Sequence, residues 1–216
     1  MLSDEKYIPQ NAKNAVIFIH GYGADGKDLI GLGKELMPDL PETAFFAPNG
    51  TKQMMFGGYE WFSLDDYIPH EAISLDYLDV LMKRASESVS AVVDYVETIS
   101  KTYDIPMENM TLAGFSQGGL MAFLTAYTLK NQIKGIIGMS AVPLVKPIKT
   151  SYHLPVLLTH GGMDDVVPNK ALSISANTFK QMDQDVKTFT SPFMGHGIDE
   201  LCFAEIKTFL KNLYRV

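Results

Sequence analysis

The hexapeptide Gly-Phe-Ser-Gln-Gly-Gly at Gly114–Gly119 constrains the fold of this chain more than any other feature. The apolar run Met110–Ala113 before it is typical of a buried strand, and Leu120–Tyr127 after it is typical of a helix. A strand, a serine between glycines and a helix predict a tight turn that exposes Ser116 at a helix N-terminus. Glycines on either side of the serine lack the Cβ atoms that would collide there. The alternative is an ordinary glycine-rich turn between two core elements.

Apolar runs alternate with helical patterns along most of the chain. Buried strands are expected at 15–19, 43–47, 110–113, 135–139 and 156–159, with an outer strand at 186–189 and an edge strand within 1–14. Helices are expected around 29–37, from about 85 to the Asp104–Pro106 segment, at 120–127, at 170–182 and at the end of the chain. The last helix is expected to turn seven apolar residues inward: Ile198, Leu201, Cys202, Ile206, Phe209, Leu210 and Leu213.

This alternation predicts an α/β fold with a mostly parallel central sheet and helices on both faces. Functional residues of such sheets lie outside the carboxyl ends of the strands. With 216 residues, 46% of them hydrophobic, the chain is expected to form a single domain over 1–216.

Composition limits the class of protein. The net charge of -7 would repel a phosphate backbone, so no nucleic-acid partner is expected. The single cysteine, Cys202, excludes an intrachain disulfide and fits a reducing compartment. Residues 1–6 lack the pattern of a signal peptide, and no apolar run approaches the roughly 18 residues of a membrane span. We therefore expect a soluble cytoplasmic protein.

Residues 51–84 show no clear period and are rich in methionine and aromatic side chains. They are expected to form an insertion at the edge of the sheet, near the site. Candidate substrate-binding residues are Met54, Met55, Trp61 and Phe62 from the insertion, and Phe193 from a later loop; Val142, Leu144 and Met194 could wall the same groove. Methionine adapts to varied ligands, but these side chains could equally pack the insertion against the core. Exposed apolar residues in 51–70 could support a homodimer.

A serine hydroxyl needs a base to take its proton. Of the five histidines, His196 alone lies C-terminal to every plausible acid at a strand end. Asp164 and Asp165 directly follow a strand, and spacing does not separate them; Asp183 and Asp185 follow a helix and are expected to face solvent.

Ester cleavage passes through an oxyanion that backbone N–H groups can stabilise. The N–H of Gln117, the residue after the serine, is the first expected donor. The second is expected from the loop after the first buried strand, with Tyr22 preferred and Gly23 next. Two other histidines, His20 and His160, are each followed by glycine at a strand end. We interpret them as residues that anchor their loops by hydrogen bonds.

Cofactor motifs are not found. No G-x-G-x-x-G or P-loop pattern opens a helix, and His70-Glu71 lacks the second histidine of an H-E-x-x-H zinc site. No cofactor and no metal are expected.

Three segments together resemble the phospholipase/carboxylesterase family, which includes the acyl-protein thioesterases and small bacterial carboxylesterases. They are Leu112–Gly119, His20–Gly26, and the stretch from His160-Gly161 through Asp164 to Val167-Pro168, and the resemblance runs through 15–210. It implies a compact α/β-hydrolase fold without a large cap domain. It also implies a catalytic triad of Ser116, Asp164 and His196, with Tyr22 and Gln117 as oxyanion donors.

The sequence departs from the family at two places. Tyr22 stands where leucine is usual, which leaves a backbone donor intact, and Trp61-Phe62-Ser63 has serine where the family has aspartate. The resemblance implies a serine carboxylesterase that works through an acyl-serine. Because no large lid is expected, the pocket should be shallow, which predicts short- to medium-chain esters or thioesters as substrates. Acyl-protein thioesterase and lysophospholipase activity are alternatives within the family. An amidase or peptidase, or a catalytically silent binding protein of this fold, is the alternative from another class.

Overall fold

The computed structural model describes residues 2–65, 75–130, 132–142 and 153–216. Its strands, in chain order, are β1 (Asp4–Tyr7), β2 (Asn14–Ile19), β3 (Thr43–Pro48), β4 (Lys52–Gln53), β5 (Tyr59–Glu60), β6 (Met110–Phe115), β7 (Gly135–Met139), β8 (Pro155–Gly161) and β9 (Asp185–Ser191). Its helices are α1 (Gly26–Leu36), α2 (Leu75–Tyr103), α3 (Gln117–Thr128), α4 (Lys170–Gln181) and α5 (Glu200–Tyr214). The strands expected from the sequence are all present.

Apart from β4 and β5, the described strands form one sheet in the order β1-β3-β2-β6-β7-β8-β9. Strand β1 is antiparallel to β3 at one edge, and the other neighbours run parallel. The predicted mostly parallel sheet is therefore confirmed. Ile19 of β2 and Gly114 of β6 are register partners. The loop after β2 and the Ser116 turn thus leave neighbouring strands at the same end of the sheet.

Helices cover both faces of this sheet because the central strands are apolar on both sides. On one face, Ile17 of β2 belongs to a buried cluster with Val92 of α2 and Met121 of α3. On the other face, Phe18 of β2 belongs to a cluster with Ile206 of α5 and with residues of α1. Successive residues of a strand point to opposite faces, so a strand buried on both sides reads as a continuous apolar run. The helices predicted on both faces are confirmed.

Two expectations about helices are wrong. Helix α2 begins at Leu75, well before the expected start near Ala85. Leu81 is buried on the same face as Ala85, but the charged residues between them obscure the helical period in the sequence. Leu201 is exposed rather than inward, because it precedes by one residue the buried stripe that Cys202 begins in α5.

Strands β4 and β5 pair with each other in a separate antiparallel hairpin, the β4–β5 hairpin. The sequence predicts an insertion at the sheet edge over 51–84, but Trp61 and Phe62 of this segment are buried in a core cluster on one face of the sheet. Directly after the hairpin, Trp61 donates its Nε1–H to the carbonyl oxygen of His20, at the end of central strand β2, over 2.9 Å. The chain that leaves the hairpin is therefore fastened at the carboxyl end of β2, away from the edge strands. Residues 66–74 of the expected insertion lie outside the described residues.

None of the helices in the described residues is both long enough and apolar enough to span a membrane.

Candidate active site

Ser116 occupies the turn between β6 and α3. Its φ of 52° and ψ of −118° fall in a region that non-glycine residues rarely adopt. Such a conformation costs roughly 1–3 kcal/mol and persists only where the surroundings enforce it. A Cβ at Gly114 would overlap the carbonyl oxygen of Gly118, and one at Gly118 would overlap that of Ile19. The tight turn predicted from the glycines is present, and it leaves Ser116 half-buried at the N-terminus of α3.

Asp164 and His196 are brought together by the loops that follow β8 and β9. The His196 Nδ1 atom lies 2.8 Å from Oδ2 of Asp164. The other carboxylate oxygen, Oδ1, accepts the backbone N–H groups of Val166 at 3.0 Å and Val167 at 2.8 Å. Asp165, which spacing alone did not distinguish from Asp164, is exposed. The geometry therefore makes Asp164 the partner of the histidine.

The Asp164 carboxylate stays charged although its side chain is fully buried. Burial raises the pKa of Asp164, but the hydrogen bonds from His196 and from the backbone N–H of Val167 outweigh it, and the pKa lies below its ordinary value. A charged carboxylate fixes the imidazole tautomer with the proton on Nδ1. The Nε2 atom of His196 is then left as a base.

The Asp164–His196 pair and the turn that carries Ser116 belong to one cluster. The His196 ring lies with its centroid 4.8 Å from that of Phe115, the residue before Ser116. On the other side, a Cβ placed on Gly21 would lie 3.5 Å from the Cβ of Ser116. The loops after β2, β6, β8 and β9 therefore converge at the carboxyl ends of the strands, as the fold class predicts.

The two other histidines at strand ends are loop anchors, as the sequence predicts. Nδ1 of His20 lies 2.7 Å from the carbonyl oxygen of Gly21, to which it donates, and its Nε2 accepts the N–H of Gly50 at 2.9 Å. Burial lowers the pKa of His20, which favours this neutral form. His160 is buried, and its Nε2–H donates to the carbonyl oxygen of Val167 at 2.8 Å.

Two backbone N–H groups on the loops of this cluster have no acceptor in the part of the protein that the structure describes. Among the described residues, neither the N–H of Tyr22 nor that of Gln117 donates a hydrogen bond within the protein. The N–H of Gly23, the second choice from the sequence, donates to the carbonyl oxygen of Tyr59 at 2.9 Å. This bond excludes Gly23 as a donor to substrate and leaves Tyr22 and Gln117, a pair suited to a developing oxyanion.

The side chain of Gln117 has a role that the sequence did not indicate. Its Oε1 accepts the backbone N–H of Trp61 at 3.0 Å, and its Nε2–H donates to the carbonyl oxygen of Phe62 at 2.8 Å. The oxygen and the nitrogen of this side-chain amide are thus both hydrogen-bonded inside the protein. The one signal in the sequence is a long polar side chain at the start of a helix whose other residues are mostly apolar or glycine. A buried amide side chain there needs specific hydrogen-bond partners.

Trp61 and Phe62 are not positioned to bind substrate as expected. Trp61 is 1% exposed, packs within the core and uses its Nε1–H on the carbonyl oxygen of His20. Phe62 is also buried in the same core cluster. These side chains present almost no surface to a ligand, because they fasten the chain after the hairpin onto the sheet.

The other expected groove residues differ in exposure. Met55 is 91% exposed and Phe193 is 88% exposed. Met54 and Val142 are half-buried and Met194 is buried, whereas Leu144 lies outside the described residues. Among the described residues, no three histidine, cysteine, aspartate or glutamate side chains gather as metal ligands would.

Comparison with known proteins agrees with this geometry. The family model for phospholipases and carboxylesterases matches residues 8–214. The acyl-protein thioesterase 1 of Neurospora crassa is 29% identical over an alignment of 214 positions that covers 88% of this chain and 83% of that protein. The acyl-protein thioesterase 1 of Gibberella zeae is 27% identical over an alignment of 220 positions that covers 91% of this chain and 89% of that protein.

Solved structures give the same result. The crystal structure of esterase PE8 has a TM-score of 0.89 and 29% identity, and the match covers 98% of this chain and 99% of that one. A Bacillus cereus carboxylesterase, at 15% identity, shares the fold with a TM-score of 0.80 over 99% of this chain and 95% of that one. The chain therefore belongs to the phospholipase/carboxylesterase family of α/β-hydrolases, and it is a hydrolase of the esterase and thioesterase type.

Proposed function

We propose that this protein hydrolyses short- to medium-chain carboxylic esters, and thioesters, through an acyl intermediate on Ser116. The observation that carries the proposal is the 2.8 Å hydrogen bond between Asp164 and His196, in the same cluster of loops as Ser116, whose strained backbone lies at the N-terminus of α3. A serine activated by a histidine that a buried carboxylate orients is the arrangement of serine hydrolases. The family supports the same chemistry.

The proposed reaction has two halves. The hydroxyl oxygen of Ser116 attacks the carbonyl carbon while Nε2 of His196 takes the hydroxyl proton, and the proton then passes to the leaving alcohol or thiol. Water next attacks the acyl-serine, His196 takes a proton from it, and Ser116 recovers its proton as the carboxylic acid leaves. Asp164 holds the imidazole and stabilises its cation at both stages.

The N–H groups of Tyr22 and Gln117 are the proposed oxyanion donors. Neither has an acceptor within the described protein, and Gln117 is the first residue of α3, where the helix dipole is positive. Losing one such donor typically costs roughly 100- to 1000-fold in rate, so the placement of these two N–H groups strongly affects turnover.

Exposed apolar side chains favour a second candidate within the same chemistry. Tyr22 and Phe193 are exposed on the loops of the site, as are Met163 and Val166 beside Asp164. Open apolar surface around a reacting carbonyl suits an acyl group carried by a larger molecule. Together with the acyl-protein thioesterase relatives, it supports S-acylated proteins or lysophospholipids as the substrates.

The test is hydrolysis of p-nitrophenyl esters from acetate upward in chain length, beside S-acyl thioesters and a peptide panel. The proposal predicts ester turnover that peaks at short to medium chains and disappears in Ser116→Ala. Thioester turnover far above ester turnover would favour the second candidate. Peptide cleavage would identify an amidase or peptidase, and a folded protein inactive on all panels would identify a binding protein.

A further inference from the structure

His20 is a fully buried histidine that the proposed reaction does not use. It directly follows β2, and the protein backbone engages both nitrogens of its ring. The N–H of Gly50 lies 2.9 Å from Nε2, and because an N–H can only donate, Nε2 carries no proton. The proton of the neutral ring therefore lies on Nδ1, which donates to the carbonyl oxygen of Gly21 over 2.7 Å.

The carbonyl group of Gly21 belongs to the same peptide unit as the N–H of Tyr22. This peptide bond is trans, and a trans peptide is planar, so its C=O and N–H point in opposite directions. A donor bound to the Gly21 oxygen thus fixes the direction of the Tyr22 N–H. That N–H has no acceptor in the described part of the protein and is one of the two proposed oxyanion donors.

The peptide between Gly21 and Tyr22 lies beside the nucleophile. A Cβ on Gly21 would lie 3.5 Å from the Cβ of Ser116 and 3.0 Å from the Cδ1 atom of Phe115. At such short range, a small rotation of the peptide changes where the Tyr22 N–H points relative to a carbonyl group bound at the serine. The N–H of Ala24 also donates to the Gly21 oxygen, but over 3.3 Å, so the bond from His20 is the shorter of the two.

The ring of His20 is itself held in place by Trp61. The two ring centroids lie 5.2 Å apart, and the Nε1–H of Trp61 donates to the carbonyl oxygen of His20 at 2.9 Å. The backbone N–H of Trp61 donates to Oε1 of Gln117 at 3.0 Å. Trp61 therefore connects the histidine that holds one proposed oxyanion donor to the residue that supplies the other.

We propose that His20 is a positioning residue of the oxyanion hole: its Nδ1–H holds the carbonyl oxygen of Gly21 and thereby directs the N–H of Tyr22 toward the oxyanion. This inference rests on the proposed function. It assigns His20 a task beyond anchoring its loop. An anchor needs only the bond between Nε2 and Gly50, whereas the positioning role needs the donor on Nδ1.

Two substitutions separate the two ring nitrogens. His20→Asn keeps a side-chain N–H near the position of Nδ1, and His20→Gln keeps an acceptor near the position of Nε2. On a p-nitrophenyl ester, His20→Gln should lower kcat by about tenfold to 100-fold with KM nearly unchanged, less than a lost donor costs, because the bond from Ala24 remains. His20→Asn should keep kcat close to that of the wild type. A trifluoromethyl ketone, which forms a tetrahedral adduct with a serine, should bind His20→Gln more weakly by the same factor as the fall in kcat.

His153→Gln is the matched control. Nδ1 of His153 also lies 2.7 Å from a backbone carbonyl oxygen, that of Asp183, but His153 is exposed and precedes β8, at the opposite end of the sheet from the site. Its substitution should leave kcat unchanged. A folded His20→Gln protein with wild-type kcat would overturn the inference. Equal losses of kcat in the two His20 variants, or an inhibitor affinity that does not follow kcat, would also overturn it.

The wild-type protein offers a test that does not depend on whether the variants fold. Nitrogen NMR of histidine-labelled protein near neutral pH should show His20 as the neutral tautomer with its proton on Nδ1. A proton on Nε2 would overturn the inference. Ester turnover that survives in Ser116→Ala would instead overturn the proposed function.

Discussion

Asp164 and His196 lie 32 positions apart in sequence, yet Oδ2 of the first is 2.8 Å from Nδ1 of the second. The other carboxylate oxygen is occupied by two backbone N–H groups, so the carboxylate cannot rotate without losing three hydrogen bonds. A carboxylate fixed in this way fixes the histidine in turn. The first prediction follows from this arrangement.

Asp164→Asn should lower kcat by about 10⁴, because an amide can donate to Nδ1 and hold the imidazole in the wrong tautomer. The measurement is steady-state hydrolysis of a p-nitrophenyl ester. Asp165→Asn is the control, since Asp165 is exposed and adjacent in sequence, and its activity should equal that of the wild type. Equal losses in the two variants would show that the geometry names the wrong aspartate.

The pKa of Asp164 also predicts how stability depends on pH. Its pKa is lower in the folded protein than in the unfolded chain, so this group stabilises the fold above its unfolded pKa of about 4. That contribution is lost as the pH falls through the folded pKa. Urea unfolding at a series of pH values should show the wild-type protein losing its advantage over Asp164→Asn as the pH drops below about 4. A difference between the two proteins that stays constant with pH would contradict the assignment.

Gly118→Ala should destabilise the protein and lower kcat together. The new Cβ would overlap the carbonyl oxygen of Ile19, a backbone atom of the central strand, so the start of α3 must shift. Overpacking of this kind typically costs about 1–3 kcal/mol. Gly31→Ala is the control, because Gly31 lies within α1 with open space around it, and alanine there should stabilise by roughly 0.5–1 kcal/mol. Thermal unfolding and kcat of both variants check the pair, and a Gly118→Ala protein with wild-type Tm would contradict the account.

Substitutions of Phe193 and Trp61 should distinguish a side chain that contacts the substrate from one that packs in the core. Phe193→Ala should lower kcat/KM for longer acyl chains and leave acetate unaffected, because the exposed ring can contact only the far part of a chain. Trp61→Phe should lower Tm instead, since it leaves the carbonyl oxygen of His20 without its donor, and a buried unpaired polar group costs about 1–3 kcal/mol. The chain-length profile of Trp61→Phe should stay that of the wild type. A chain-length profile that changes in Trp61→Phe but not in Phe193→Ala would show that Trp61, and not Phe193, contacts the acyl chain.

Local patterns predict the part of this structure that depends on neighbours in sequence. The strand before Ser116 and the glycines around it indicate the turn, because the collision that excludes side chains at Gly114 and Gly118 is a property of the turn itself. The alternation of strands and helices predicts the parallel sheet, because a helix that packs back on the sheet returns the chain to pair in parallel with a neighbouring strand.

Contacts between distant segments are what the sequence did not reveal. Trp61 is predicted as a groove residue because aromatic and methionine side chains crowd that segment, but one long-range hydrogen bond to the carbonyl oxygen of His20 places it in the core. The role of the Gln117 side chain depends on the backbone of 61–62, which no local pattern places beside α3. Spacing alone likewise does not separate Asp164 from Asp165; the family resemblance implies Asp164, and the structure shows this residue bound to His196.

The most direct test of the central claim is mass spectrometry of the protein quenched in acid during turnover of p-nitrophenyl butyrate. The account predicts a butyryl group on the peptide that contains Ser116, and its absence in Ser116→Ala together with loss of turnover. An acyl group on another residue, or continued turnover by Ser116→Ala without any acyl-protein, would contradict the proposal that this serine carries the reaction.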